Sequence, residues 1–578
     1  MPDEISKPDR KRRFLPDNLV IHSWDSIRIY FSDLLDRPVK SPADLERWLF
    51  DRSELNAVLE EELAWRYIKM NCDTANKQLS ESFNQFVTEI EPEISRFSDL
   101  LDRKLVGSPF LSKLDKRKYL ILIRAVRNRI KIFREENIPL FAELQVEEQK
   151  YGKISSEMTI RYNGKELTLQ MAGNYLKEIN RDVRKQVFIL IHERRMKDIA
   201  ELQDLFSTLI ERRDQVAKNA GFRNYRDFKF AELGRFDYTV NDCEDFHESI
   251  AEEVCPIAEE ILKKRRESLG FDELRPWDLD VDPELKPPLR PFTTSRELMN
   301  GSIRCLQNIR PAYGDYLKTM DQKGYLDLDS RKGKAPGGFN YPLYESNVPF
   351  IFMNATGNLR DLETMVHESG HAIHSFLSGH LELVDYKNLP AEVAELASMS
   401  MELITMDQWN VFFNNPDELR RAKRNQLEGI ILLLPWIASV DKFQHWIYLN
   451  PAHSIEQRNN EWLAVLDGFD TGLVNWSGYE KYREHSWQKQ LHIYESPFYY
   501  IEYGIAQLGA VSMWKNYREN PEKTLDAYEK ALGLGYSVKI PEIYETAGIR
   551  FDFSREYVRQ LMQFVAGELA LPERKDFV

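Results

Sequence analysis

The chain has 578 residues, 42% of them apolar, with 79 basic against 93 acidic side chains and a formal net charge of −14. This length and apolar content suffice for a large core, and the acidic balance argues against a general nucleic-acid binder. The four cysteines, Cys72, Cys243, Cys255 and Cys305, lack CxxC spacing and read as reduced thiols, not as a disulfide framework or a thiolate metal site. No segment nears the roughly 20 apolar residues that span a bilayer, and the opening MPDEISKPDRKRRFLPDN lacks the apolar core of a signal peptide. A soluble, cytoplasmic protein with no membrane or nucleic-acid partner is expected, as a monomer or homodimer.

In chain order, residues 1–20 read as a flexible tail, with Arg10, Lys11, Arg12 and Arg13 solvated. Residues 24–134 show apolar positions at three- and four-residue spacing, in segments such as 41–51, 53–71 and 73–91, with Ser41 and Ser53 placed as caps. Residues 113–134 mix Leu120, Ile121, Leu122, Ile123 and Val126 with basic side chains, the pattern of an internal helix with a basic solvent face. Around 158–171, MTIRYNGKELTLQM alternates about an Asn163-Gly164 turn, a hairpin signal. Helices resume through 181–220 and stop at Gly221. The proline-rich stretch 276–291 reads as extended, and a further helix falls near 295–321. The chain divides on this reading into a helical region 21–205 and a catalytic region 206–578.

A second strand-like region runs from Gly337, Gly338, Phe339, Asn340 and Tyr341 to VPFIFMN at 348–354. A short strand there exposes an edge with which an extended peptide pairs, and paired glycines permit close approach of another backbone. Gly337, Gly338, Phe350 and Phe352 are therefore expected at the substrate.

Immediately downstream, DLETMVHESGHAIHSFL at 361–377 reads as a helix without proline, started by Asn358 or Asp361. His367, Glu368 and His371 form an HExxH motif on it. Residues i and i+4 share a helix face, so both imidazoles can hold one metal ion while the intervening carboxylate reaches an attacking water. Catalytic zinc takes three protein ligands and keeps a position for water. A third histidine six residues on is excluded, since His374 and Leu377 occupy the positions that pattern gives to Gly and His. The segment PAEVAELASMSME offers Glu392, Glu395 and Glu402 instead, and spacing alone does not choose between Glu392 and Glu395.

HESGHAIHSF followed by AEVAELASMSMEL resembles the oligoendopeptidase F branch of the thimet-oligopeptidase-like zinc metallopeptidases, which pair HExGHxxH with a later ExxSxxxE element. AWRYIKMNCDTANKQL, GFRNYRDF, RPWDLDVD and PFIFMN, in this order, extend the likeness over nearly the whole chain. The resemblance implies one Zn2+ per chain, with Glu395 as third ligand. It makes Ser398 and Glu402 supporting residues, Asp361 a partner of the ligand histidines, and His374 part of the motif, read here as a packed histidine bonded to a carboxylate. HIYESPFYYIEY at 492–503 resembles the family's His/Tyr-rich element. His492 and Tyr500, then Tyr503, are assigned to the oxyanion, with Glu368 as general base. The implied fold is mainly α, a large two-lobed helical body with a deep central cleft and a small β-sheet beside the HExxH helix. The implied activity is endoproteolysis of short unstructured oligopeptides. A zinc carboxypeptidase on a related scaffold, or a helical binding protein with an inert HExxH, are the competing readings.

Overall fold

The computed structural model describes residues 12–331, 333–335 and 337–571. It is 69% helical, with two small sheets. Among the described residues no helix is long and apolar enough to cross a membrane.

The N-terminal part is a helical layer built on one long helix, Pro42–Cys72. Ser41 caps it, accepting from the Asp44 amide at 3.1 Å. Ser53 does not cap a second helix: it lies mid-helix, and its hydroxyl joins the Glu382 carbonyl and the Val384 amide. The pattern restarts there because the helix changes neighbours, not because it ends. The basic helix Leu120–Ile132 buries Ile121, Leu122 and Val126, and its arginines find acids, Arg124 on Asp237 and Arg129 on Asp102.

Two expected boundaries are corrected. Residues 1–11 lie outside the described residues, but 12–20 are docked: Arg12 pairs with Glu345, and Glu54 accepts from the amides of Arg13, Phe14 and Leu15. A carboxylate collecting three backbone donors holds the segment as a cap holds a helix start. The division at 205/206 falls inside the continuous helix Ile199–Asn219 and cannot separate folding units.

The NG hairpin forms as expected: β1 (Thr159–Tyr162) pairs antiparallel with β2 (Lys165–Thr168), with Asn163 and Gly164 both at positive φ. The second sheet has three strands, β3 (Leu326–Asp329), β4 (Phe339–Tyr341) and β5 (Phe350–Ala355), in the order β3-β5-β4. The most apolar strand, β5, is central, and the exposed edge belongs to β4. Phe350 and Phe352 are accordingly 2% and 0% exposed, packed on Trp65 and Phe339. They belong to the core and not, as expected, to the substrate surface.

The HExxH helix, Leu359–Ser378, follows β5. It packs on the short helix Ala391–Ile404, which packs in turn on Tyr500–Glu519. Every residue of Ala391–Ile404 except Ala391 and Ala394 is buried, including its three glutamates. Buried carboxylates need partners, and the supply of partners sorts these three.

Candidate active site

Two glycines bring helix backbones together at the site. A Cβ on Gly370 would lie 2.5 Å from Ser398 Cα and 2.7 Å from the Ala397 carbonyl oxygen. On the far face, a Cβ on Gly509 would meet Leu396 at 2.8 Å. At Gly370 the atoms in the way are backbone, so only glycine permits that approach; at Gly509 the nearest atom belongs to the Leu396 side chain. Glu395 thereby arrives beside the histidines one turn earlier on the same helix.

His367 Nε2 lies 3.3 Å and His371 Nε2 3.6 Å from Glu395 Oε2. One donor atom from each of the three residues falls within 4.8 Å of the others. Ligand atoms about 2.0–2.2 Å from a tetrahedral ion stand about 3.3–3.6 Å apart, so the trio fits one small divalent metal ion. Charge agrees with geometry. Burial pushes the Glu395 carboxyl up, but His371, His367 and the Ser398 hydroxyl outweigh it and hold it at about 2. Burial brings His371 down to about 4, leaving a neutral imidazole. Burial would lower His367 too, yet Glu395 and Glu402 lift it well above the usual imidazole range.

Glu392 is excluded from the trio by other claims on it. Tyr238 donates to its carboxylate and Tyr544 to its carbonyl. Ser398 donates to Glu395 Oε2 at 3.0 Å. Glu402 Oε1 lies 2.6 Å from His367 Nδ1, and Gln426 donates to its other oxygen at 2.7 Å. An imidazole held through its second nitrogen by a carboxylate has a fixed orientation and greater basicity.

The expected partner of the histidines, Asp361, is elsewhere. Its Oδ2 accepts from the amides of Thr356, Gly357 and Asn358, while Asn358 caps the Asp361 amide. This is a capping box, and the N-x-x-D spacing is its sequence signal. His374 also departs from expectation. It is buried with no carboxylate partner among the described residues, its neighbour being the Leu532 backbone, and burial pushes it down to about 3. It is a neutral core histidine that also touches the cavity floor.

Glu368 is 5% exposed and its Oε2 has no hydrogen-bond partner among the described residues. Burial pushes its carboxyl up to about 7. A cavity of about 370 Å³ opens over Glu368 and the trio, walled by Gly338, Phe339 and Asn340 on one side and by Tyr499 and Tyr503 on the other. Asn340 donates to the Glu368 carbonyl at 3.1 Å, tying the edge strand to the HExxH helix. Gly338 thus lies at the cavity, whereas Gly337, at φ +98°, serves the turn into β4.

The distal wall hinges on Phe498, held at φ 65°. Left-handed backbone is costly for a bulky residue and persists only when its surroundings fix it. Gln444 accepts its amide at 2.8 Å, and Arg235, paired with Glu502 at 2.8 Å, takes its carbonyl. The turn gathers Tyr499, Tyr500 and Tyr503 around His492, with ring centroids 5.8, 5.0 and 5.7 Å from the imidazole. Tyr499 donates to Glu395 Oε1 at 3.0 Å, and the Tyr503 hydroxyl lies 3.5 Å from His492 Nε2. Tyr500, expected at the oxyanion, instead turns toward Trp436 and Arg360 and does not line the cavity. No local sequence pattern distinguishes Tyr499 from Tyr500.

Comparison with known proteins agrees with this geometry. The model of Peptidase family M3 matches residues 174–563, and that of the Peptidase M3 N-terminal domain matches 18–133. Oligopeptidase PepF of Bacillus subtilis is 23% identical over 398 residues, which is 67% of this chain and 57% of that protein. An oligoendopeptidase F homolog of Borreliella burgdorferi is 20% identical over 84% of this chain and 83% of its own length. Among solved structures, PZ peptidase A with an inhibitor superposes with a TM-score of 0.90 at 25% identity, over 94% of this chain and 97% of that one. A putative oligoendopeptidase F from Bacillus anthracis gives 0.85 at 23%, covering 99% of both chains. The chain belongs to peptidase family M3, as an oligoendopeptidase F-like metallopeptidase.

Proposed function

We propose that this protein is a zinc-dependent endopeptidase that hydrolyses internal bonds of short, unstructured oligopeptides. The observation that carries this reading is the Glu368 carboxylate oxygen, without a partner among the described residues, beside a three-ligand trio and in a cavity bordered by the edge strand β4. His367, His371 and Glu395 would hold the zinc ion. When bound, zinc polarises the scissile carbonyl and acidifies the attacking water.

The chain's own residues do the rest. The β4 edge at Gly338–Tyr341 offers main-chain groups to an extended peptide, which fixes the backbone without selecting its sequence. Glu368 takes the proton of the attacking water and passes it to the leaving amide nitrogen, the order that general-base and then general-acid catalysis requires. Burial keeps this carboxyl near neutrality, where it both accepts and returns a proton. Tyr503, which lines the cavity, donates to the developing oxyanion; His492, expected there too, does not line the cavity and instead lies 3.5 Å behind the Tyr503 hydroxyl, and Tyr499 steadies Glu395. Arg360, expected by no motif, pairs with Glu363 at 3.3 Å and acts through space on Tyr500.

We place the activity in the cytoplasm, in a monomer or homodimer; all four cysteines being free and mostly buried supports a reducing compartment. The test is an internally quenched peptide blocked at both ends, with metal analysis of the purified chain. About one zinc per chain, internal cleavage, and loss of cleavage on chelation with recovery on adding zinc are expected. Absence of internal cleavage by the zinc-loaded protein refutes the reading.

A further inference from the structure

A second cavity, of about 570 Å³, lies beyond the aromatic cluster. Part of its wall is apolar, with Phe188, Leu202 and Trp476, but its polar lining is dominated by donors. Arg195 and Lys489 line it, and among the described residues neither forms an ion pair. Gln488 lines it too; that residue is 5% exposed, and its Nε2 has no hydrogen-bond partner among the described residues. Asp280 is the single carboxylate of the lining, and it acts on Lys489 through space without pairing with it.

Asp280 offsets only part of the positive charge here. Burial, with Arg195 adding to it, pushes the Lys489 ammonium down to about 8. Burial likewise brings His192 down to about 4, with Arg195 and Lys489 opposing its proton. Arginine, ammonium and amide N–H groups donate only, so the ligand they fit is an acceptor, and a negative one.

The cavity is coupled to the active site through the segment that carries Lys489. Lys489 Nζ sits 4.2 Å from the centre of the Trp436 ring. Trp436 donates to Gln490 Oε1 at 3.1 Å, and the other end of the Gln490 amide lies 2.8 Å from His492 Nδ1. His492 in turn stacks on Tyr499, which donates to Glu395 Oε1.

We propose that this cavity binds a carboxylate of the peptide substrate through Arg195, Lys489 and the Gln488 amide, and so selects peptides bearing a negative charge a few residues from the scissile bond. This rests on the endopeptidase reading for the peptide nature of the ligand. The carboxylate is supplied by the C-terminus or by an Asp or Glu side chain; the apolar wall holds the side chain beside it.

The experiment compares four peptides with one core sequence: free acid, C-terminal amide, amide with a penultimate Glu, and amide with Gln in its place. Cleavage is measured for the zinc-loaded protein and for Arg195→Gln, Lys489→Gln and Lys489→Arg, and binding is measured by fluorescence anisotropy on Glu368→Gln. A lost charge-assisted bond corresponds to about tenfold in affinity. The acid is expected to show about tenfold lower KM than its amide, at similar kcat, and the Glu peptide to outperform Gln if a side chain serves. Both neutral variants should bring the ratio near one, and Lys489→Arg should keep it. Equal handling of all four peptides by the wild type, or an unchanged ratio in Arg195→Gln and Lys489→Gln, overturns the proposal while leaving endoproteolysis intact. A charge preference in binding with no cleavage by the wild type refutes the endopeptidase reading and keeps this one.

Discussion

Replacing Gly370 by alanine tests the central claim that close helix packing builds the metal site. In an unconstrained helix this change is stabilising by about 1 kcal/mol. Here the new Cβ would sit 2.5 Å from Ser398 Cα and 3.0 Å from the Ala397 carbonyl carbon, both backbone atoms. Carbon contacts settle at about 3.5–4.0 Å, so the two helices must part by about 1 Å. Overpacking of that kind costs about 1–3 kcal/mol. Metal sites tolerate errors of about 0.2 Å, and the displaced segment carries Glu395, one turn before Ser398. The zinc dissociation constant should rise about 100-fold, equivalent to about 2.7 kcal/mol, while the melting temperature of the metal-free protein falls only a few degrees. Competition with a chromogenic chelator reads the first quantity and thermal circular dichroism the second. Zinc affinity within twofold of wild type, in a protein that melts no lower, would refute the reasoning.

Three other outcomes follow from the site. Glu368→Gln should retain zinc and lose at least 100-fold in kcat, the scale of general-base catalysis; a kcat within tenfold of wild type would remove Glu368 from the chemistry. Tyr499→Phe deletes a hydrogen bond to Glu395 and should weaken zinc binding several-fold, whereas Tyr500→Phe should leave zinc affinity unchanged. Unchanged zinc affinity in Tyr499→Phe would refute this role for Tyr499. Half-buried His192, brought down to about 4, stays neutral in the fold but takes a proton when unfolded at about 6.5. Its contribution is therefore present above pH 6.5 and is lost as pH falls toward 4. His192→Gln should flatten part of the decline of melting temperature over that window, and an unchanged slope counts against the assignment.

Local order in this protein is written locally. HExxH spacing puts His367 and His371 on one face because a helix repeats every 3.6 residues, and the Asn163-Gly164 turn forms because those two residues accept positive φ. The mainly helical fold was legible from apolar spacing alone. The Asn358 and Asp361 capping box was equally local, and was misread only because the family likeness offered Asp361 another role.

What the sequence left open depends on partners far along the chain. Glu392 and Glu395 are three residues apart on one helix, and the choice between them is made by Tyr238 and Tyr544, which occupy Glu392, and by Gly370, which admits Glu395 to the histidines. The partner of His367 is 35 residues away, and the tyrosine that reaches Glu395 is 104 residues away. Strand order made β5 central and turned Phe350 and Phe352 inward, which hydrophobicity alone could not say. Sequence determined which helix carries the chemistry. Tertiary packing decided which carboxylate and which hydroxyls meet it, because each buried polar group goes to whichever partner the long-range fold brings within hydrogen-bond reach.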